Sequence, residues 1–262
     1  MELLIGDTSQ LSYYFPPNFN RISSRNIDTT NIKEYNNIYL CFAEQRTFNK
    51  TLTEQDFIDV NVNYTSKIID SLCDSNRNII LYGTAELWNA HNGEVNISTP
   101  INYNYTPYIK SKEILYNLFQ EKQNKNEWHN VRILHPVNFN SINRKEGFLF
   151  YKIFQSIINK EKIEVGDLNI ERDIIHPSYL VSETLSSTTD SLIGSGSVIN
   201  VKNFIKSLYK EFNMIYDEYV KENISNISPH KNNIFWCENK KRYSNLISDT
   251  VNDIKQKQNN IS

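Results

Sequence analysis

Residues 78–88 read Asn78-Ile79-Ile80-Leu81-Tyr82-Gly83-Thr84-Ala85-Glu86-Leu87-Trp88. The run Ile79–Tyr82 is apolar at every position, as suits a strand covered on both faces, and Gly83 stops it. A hydroxyl and a carboxylate then follow two residues apart, just past the strand end. Asn37–Ala43 (NIYLCFA) has the same near-continuous apolar character. Glu2–Ile5 is a shorter run closed at once by Gly6, and Arg21–Ser24 is a further short strand candidate. Between these runs lie helical patterns. Phe57, Val60, Tyr64, Ile68 and Leu72 recur at helical spacing within Asp56–Cys73, and Tyr108, Leu115, Leu118 and Phe119 do so within Tyr108–Glu121, with Pro107 at its start. Val131–Leu134 is the next strand. Strand and helix alternate through this half, which predicts a parallel sheet covered by helices. Pro16-Pro17 limits any helix between Gly6 and Ser23 to about two turns.

The second half is less regular. Gly147–Ile158 and Val201–Asn213 read as helices, with Met214–Lys221 prolonging the latter, and Ile163–Ile175 as strand and loop. The polar tail after Ile254 reads as frayed, and no internal repeat is present. With 262 residues the chain suits one α/β domain with an annex. We expect a Rossmann-type doubly wound parallel sheet over residues 1–135. Residues 174–200 are expected to return to it, and residues 136–262 to form mainly a smaller C-terminal substrate-binding lobe.

Hydrophobic residues make up 39% of the chain, enough for a sizeable core, and seven glycines and seven prolines leave little room for low-complexity disorder. The net charge of −2 is dispersed, with no basic stripe for nucleic acid and no polybasic helix for a membrane surface. No apolar run approaches the ~18 residues of a membrane span, and Met1-Glu2-Leu3-Leu4-Ile5 does not look like a signal peptide, so a cytoplasmic location is expected. Cys41, Cys73 and Cys237 are far apart and form no CxxC pair, which fits reduced, buried thiols. His91, His129 and His230 read as surface or loop residues. No His or Cys spacing fits a metal site, so none is expected.

Tyr108 and Lys112 are four apart and share a helix face, which brings an ammonium near a phenol. A neighbouring cation lowers a tyrosine pKa and makes the phenol a usable proton donor. Thr84 lies 24 residues upstream at a strand end. In an open α/β sheet ligands bind at the carboxyl edge, where strand ends and the following helices meet. A hydroxyl, a phenol and an ammonium converging there suit hydride transfer at a sugar carbonyl or carbinol.

Thr84, Tyr108 and Lys112 resemble the catalytic Ser/Thr-Tyr-Lys of the extended short-chain dehydrogenase/reductase superfamily, in its nucleotide-sugar branch. Asp59-Val60-Asn61 through Thr65 resembles that family's Asn-x-x-x-Thr helix, and Thr99-Pro100 with Thr106-Pro107-Tyr108 resembles the approach to its tyrosine. Gly166-Asp167-Leu168 through Arg172-Asp173 and His176 is similar to a stretch of GDP-mannose 4,6-dehydratases and GDP-sugar reductases whose arginine contacts the substrate diphosphate. Leu134-His135-Pro136 through Arg144 and Gly147-Phe148 resembles the substrate loop of the same group. The resemblance spans roughly residues 1–205. It assigns a nicotinamide cofactor to Gly6, Thr8, Ser9, Gln10, Leu11, Ser24, Arg25, Phe42, Ala43, Asn61, Tyr108, Lys112 and His135. It assigns the substrate to Glu86, Asn138, Arg144, Arg172 and His176, and implies a homodimer through the Asp56 and Tyr108 helices.

One motif departs from the family. Its GxxGxxG opening is here Gly6-Asp7-Thr8-Ser9-Gln10-Leu11-Ser12, with serine at the second and third glycine positions. It is similar to the G-x-T-G-Q-x-G loop of dTDP-4-dehydrorhamnose reductases with two Gly-to-Ser changes, and cofactor binding is expected to survive. Ser23-Ser24-Arg25 ends the second strand with hydroxyls and a cation where an NAD-preferring protein places an acid, so NADP(H) is favoured, with NAD(H) the alternative. Thr84-Ala85-Glu86 resembles the dehydratases' T-S-E, in which the Glu is a base. The altered loop argues against a cofactor held through an internal redox cycle. The expected function is therefore 4-keto reduction of a nucleotide-linked sugar in deoxysugar (surface polysaccharide) biosynthesis. A 4,6-dehydratase or epimerase using Glu86 as base, and a non-catalytic binding protein on the same fold, are the alternatives.

Overall fold

Strand parity explains the central layer. In β1 (Glu2–Ile5), Leu3 and Ile5 join one apolar cluster and Leu4 joins another on the opposite face. After β2 (Asn20–Ile22), β3 (Asn37–Leu40) divides in the same way, Ile38 and Leu40 against Tyr39. The chain then forms α1 (Glu54–Ile58), a π-helical turn over Asp59–Tyr64, and α2 (Thr65–Leu72). β4 (Asn78–Tyr82) sends Ile79 and Leu81 to one face and Ile80 and Tyr82 to the other. β5 (Gly93–Val95) and α3 (Pro107–Asn124) precede β6 (Val131–Pro136). Strands buried on both faces are what a parallel sheet between helices requires.

Beyond β6 come β7 (Asn138–Phe139), α4 (Leu149–Asn159), β8 (Ile163–Gly166), β9 (Glu171–Arg172), β10 (Ile174–Ile175), α5 (Pro177–Ser186) and β11 (Ser191–Ile193). The chain continues through β12 (Ile199–Asn200), α6 (Val201–Glu211), α7 (Tyr216–Tyr219), β13 (Val220–Asn223), β14 (Phe235–Cys237) and α8 (Leu246–Asn259). This computed structural model describes residues 1–25, 27, 32, 34–73, 77–223, 233–239 and 241–260, so His230 lies outside the described residues. Among the described residues no helix is long and apolar enough to cross a membrane.

The main sheet has six parallel strands in the order β11-β6-β4-β3-β1-β2. It is a Rossmann-type doubly wound sheet with a reversal of strand order at β1. The usual order places two strands on the far side of the first, whereas among the described residues β2 stands there alone. Ile68, Leu72, Leu115 and Phe119 cover one face, and Leu11, Phe15, Leu180 and Val181 belong to the cluster on the other. A third cluster, from α4, α6, α8 and the short strands β8 and β13, forms the smaller C-terminal lobe.

Three local expectations change. The helix after Gly6 is a single 3₁₀ turn, Ser12–Tyr14, because Phe15 precedes Pro16 and is extended (φ −71°, ψ 149°). The Arg21 guanidinium then accepts the duty of a cap, donating to the carbonyls of Phe15 at 2.9 Å, Pro16 at 3.0 Å and Phe19 at 2.9 Å. Val201–Asn213 does not run on, because Asn213 takes a left-handed conformation (φ 55°) and the chain turns into α7 and β13. The polar tail is not frayed: α8 continues to Asn259 and buries Leu246, Thr250, Val251 and Ile254, a helical spacing. Replacing fully buried Ile254 with Ala is therefore expected to lower unfolding free energy by about 2–5 kcal/mol in a urea titration. A loss within error would mean that α8 does not pack as described.

Candidate active site

Gly6 closes β1 with φ +109°, and a Cβ there would lie 3.1 Å from the Cys41 carbonyl carbon and 3.2 Å from the Phe42 nitrogen. The turn after β1 thus presses against the backbone leaving β3, at the point where strand order reverses. Two clefts open along this edge. The larger, about 780 Å³, is bordered by Gly6, Thr8, Ser9, Gln10, Ser24, Arg25, Phe42 and Ala43, with Glu44 and Arg46 beyond them. The smaller, about 340 Å³, is bordered by Leu11, Thr84, Glu86, Tyr108, Lys112 and Asn138. Ser9, Gln10, Cys41, Phe42, Ala43, Gln45, Arg144 and Phe148 face both.

Local rules place the reactive side chains. Thr106 caps α3 by accepting from the Ile109 amide at 3.1 Å, and Pro107 sits in the first turn, which fixes Tyr108 and Lys112 on the face toward β4. Thr84 caps the short turn Ala85–Trp88, accepting from the Glu86 amide at 3.2 Å. Glu86 accepts from Asn138 at 2.8 Å on one oxygen and from Asn89 at 2.9 Å on the other. Its carboxylate is therefore aimed and held, with a lone pair left on each oxygen.

Burial pushes the Tyr108 phenol up to about 12, a hydrogen bond from Thr84's side chain lowers it, Glu86 raises it, and Arg144 lowers it. The cation that acts on the phenol is Arg144 rather than Lys112. Lys112 is buried and donates to the Tyr82 carbonyl at 2.8 Å, and burial brings its ammonium down from 10.5 to about 8. Arg172, half-buried on β9, donates to the Glu171 carbonyl at 2.6 Å; burial lowers its pKa and the charge of Glu86 raises it.

Four expected site residues border neither cleft: Arg172, His135, His176 and Asn61. His135 lies beneath the cleft floor, its Nδ1 3.3 Å from both the nitrogen and the oxygen of Thr84 and its ring edge-on to Trp88 and Tyr116. Burial lowers its pKa to about 3, so the ring is neutral. The ring also fills the space above Gly83, where a Cβ would come within 2.3 Å of Nδ1. His176 caps α5, accepting from the Ser178 amide at 3.3 Å, and its Nε2 meets Asp253 of α8 at 3.0 Å. It ties the C-terminal helix to the sheet domain and borders neither cleft. Asn61 is buried in the π-helical turn, where its amide accepts from the Glu44 nitrogen at 2.8 Å and donates to the Glu44 carbonyl at 2.9 Å and to Ser111 at 2.9 Å. It shapes the loop that borders the larger cleft without facing it.

Sequence reasoning missed Cys41, Gln45 and Arg46 as cleft residues, and placed Lys145 and Phe148 only within the segment that resembles a substrate loop. The signal was available for Gln45 and Arg46, which directly follow a strand at the reversal point. Arg46 pairs with Glu44 at 2.5 Å on the rim. Among the described residues no group of His, Cys, Asp and Glu is arranged to hold a metal ion.

A model of the NAD dependent epimerase/dehydratase family matches residues 20–185. No curated protein sequence matches the chain. Several solved structures share its fold. RMD from Pseudomonas aeruginosa, complexed with NADPH, is 10% identical with TM-score 0.77, covering 99% of this chain and 100% of its own. UDP-glucuronic acid 4-epimerase from Bacillus cereus, in complex with NAD, is 13% identical with TM-score 0.77, covering 98% and 97%. A dTDP-glucose 4,6-dehydratase from Streptomyces venezuelae, with NAD bound, is 13% identical with TM-score 0.77, covering 99% and 98%.

Burying Lys112 gives a signed pH dependence. Its folded pKa of about 8 is below its ordinary 10.5, so between these values the unfolded chain binds more protons and stability rises with pH. In parallel urea titrations from pH 8 to 10, the wild type should gain stability relative to Lys112→Met. A difference that stays flat would place the ammonium in solvent.

Proposed function

Because the chain belongs to the NAD dependent epimerase/dehydratase family, within the extended short-chain dehydrogenases/reductases, we propose that it modifies a nucleotide-linked sugar with a nicotinamide cofactor, and that the reaction is reduction of a 4-keto group. The observation that carries this reading is the placement of Thr84, Tyr108, Lys112 and Glu86 around one cleft at the carboxyl edge of the sheet.

The residues present fit a dinucleotide. Gly6 lets the turn after β1 close against the Cys41–Phe42 backbone beside the larger cleft, and the buried Nε of Arg144 has no protein partner. Residues around Gly6–Gln10, Ser24, Arg25, Phe42 and Ala43 would hold the cofactor in the larger cleft. Such a cofactor supplies hydride for the carbonyl carbon. Tyr108 donates its proton to the carbonyl oxygen, and its high pKa keeps it protonated until that charge develops. Thr84, on the same cleft, polarises the same oxygen. Lys112, protonated below about 8, places a positive charge at the floor. Glu86, aimed by Asn138 and Asn89, accepts hydrogen bonds from sugar hydroxyls, and Arg172 beside it takes the substrate diphosphate.

The choice of reductase rests on the loop after β1. A dehydratase or epimerase must retain its cofactor through an internal redox cycle, whereas the diphosphate-facing helix here is one 3₁₀ turn. That arrangement favours a cofactor that exchanges at each turnover. Glu86 as base in a dehydratase or epimerase is the second reading, supported by its place beside Tyr108. NADP(H) is preferred because Arg25, Arg46 and Lys145 border the larger cleft. We further propose that residues 1–135 form the cofactor-binding part and 136–262 mainly the substrate lobe, and that the protein is a homodimer through the helices around Asp56 and Tyr108.

Two experiments test this. A panel of GDP-, dTDP-, CDP- and UDP-linked 4-keto sugars should include one that consumes NADPH; formation of a 4-keto product without added reduced cofactor would establish a dehydratase instead. Tyr108→Phe should lower kcat by roughly 10²–10⁴-fold while NADPH still binds, and unchanged turnover would remove Tyr108 from the chemistry.

A further inference from the structure

The dinucleotide fingerprint places the cofactor diphosphate on backbone amides at a helix N-terminus. In the loop after β1 four of these amides, from Gly6 to Ser9, are engaged within the protein. The Gly6 and Asp7 amides both point to the Ile22 carbonyl, at 2.9 and 3.2 Å, the Thr8 amide donates to Asp7 Oδ1 at 2.9 Å, and the Ser9 amide donates to the Gly6 carbonyl at 2.9 Å. Ser12, where the motif has its third glycine, is buried and turns its hydroxyl onto the Asp7 and Ser9 carbonyls at 2.6 and 2.7 Å. The three-residue 3₁₀ turn that follows adds little dipole.

Directly opposite this loop is Arg144. Its Nη1 donates to Gln10 Oε1 at 3.2 Å and reaches the Phe139 carbonyl at 3.4 Å, and its guanidinium lies 4.1 Å from the centre of the Phe148 ring. Nε is covered by protein and has no hydrogen-bond partner. Among the described residues no carboxylate lies within ion-pair distance of it. A cation covered this far without a counter-charge is costly, and burial has lowered its pKa to about 10. A side chain serving packing alone would be better replaced by an uncharged one. The plane is also held. Phe148 meets Phe48 edge-on at 5.0 Å, and Gly147 (φ +95°) makes room, since a Cβ there would lie 2.4 Å from the Phe48 ring. Phe48 comes from the loop after β3 and Phe148 from the loop after β7, so the contact joins two loops, and Phe148 borders both clefts.

We infer that Arg144 binds the diphosphate of the dinucleotide cofactor, replacing the helix N-terminus that the loop after β1 lacks, and that the Phe48–Phe148 contact positions it. This moves Arg144 from the substrate, where the sequence resemblance placed it, to the cofactor. The assignment explains why an orphaned guanidinium touches Gln10 of the cofactor loop and faces both clefts. It also explains how the two Gly-to-Ser changes are tolerated: the serines satisfy the loop internally, and the anion is met from the opposite wall.

The inference rests on the proposed cofactor site, and one set of titrations separates the two. NADPH, ADP-ribose and adenosine 2′,5′-bisphosphate, which lacks the diphosphate bridge, are titrated by calorimetry into the wild type, Arg144→Gln, Arg144→Lys and Phe48→Ala. If the wild type binds neither NADPH nor NADH, the cofactor site itself fails. If it binds, Arg144→Gln should weaken NADPH and ADP-ribose by roughly tenfold or more and leave the bisphosphate within about twofold. Arg144→Lys, which retains charge without the planar fork, should fall between. Phe48→Ala, on the outer side of the contact, should weaken ADP-ribose by a smaller factor and spare the bisphosphate. Unchanged ADP-ribose affinity in Arg144→Lys and, where it folds, Arg144→Gln would overturn the inference, as would equal weakening of all three ligands.

Discussion

The structure depends on the contact between the turn after β1 and the backbone leaving β3. Gly6 has no side chain, so its Cα approaches the Cys41 and Phe42 peptide to a distance that a Cβ would make too close. Its positive φ directs the following residues over the edge of the sheet. Because strand order reverses at this point, the two loops diverge as they leave the sheet, and the space between them becomes the larger cleft. The neighbouring strand β4 ends level with them and delivers Thr84 and Glu86 to the smaller cleft. An alanine at position 6 would strain the turn and push the two loops apart, with effects on both clefts at once.

Much of this arrangement was legible in the sequence. β4 and β3 are apolar on both faces, and few other structures need that. Thr84, Tyr108 and Lys112 were legible through their spacing, because a strand end and the first two turns of the next helix must meet at the carboxyl edge. The misplaced residues had weaker signals that were nevertheless present. His135 has the parity of Val131 and Ile133, whose side chains are buried against the sheet's helices, and is itself fully buried. His176 precedes Pro177, and a proline in the first helical turn makes the residue before it a cap. Leu246, Val251 and Ile254 repeat at helical spacing inside a polar segment, too sparsely to stand out against the surrounding Asn, Asp, Lys and Gln. The Phe48–Phe148 contact was not legible, because it joins loops a hundred residues apart whose meeting depends on the path of both.

Economy at one edge of the sheet has consequences for the site. Among the described residues, a single strand beyond β1 and a one-turn connection shorten the part of the fold that ordinarily anchors a dinucleotide. The side chains that take over come from elsewhere: Arg21 closes the broken helix, Asn61 fixes the Glu44 loop, and Arg144 reaches across from the loop after β7. A binding surface shared between the sheet domain and the C-terminal lobe links the two through whatever occupies it. His176 and Asp253 hold the same two parts together outside the clefts.

The central claim is that the two clefts form one continuous dinucleotide site with its reactive end at Tyr108. A crystal structure of the protein with NADPH tests it most directly. The account predicts the nicotinamide in the smaller cleft beside Tyr108 and Thr84, the diphosphate between the turn after Gly6 and Arg144, and the adenosine toward Ser24 and Arg25. A nicotinamide bound away from Tyr108, or an adenosine occupying the smaller cleft, would contradict it.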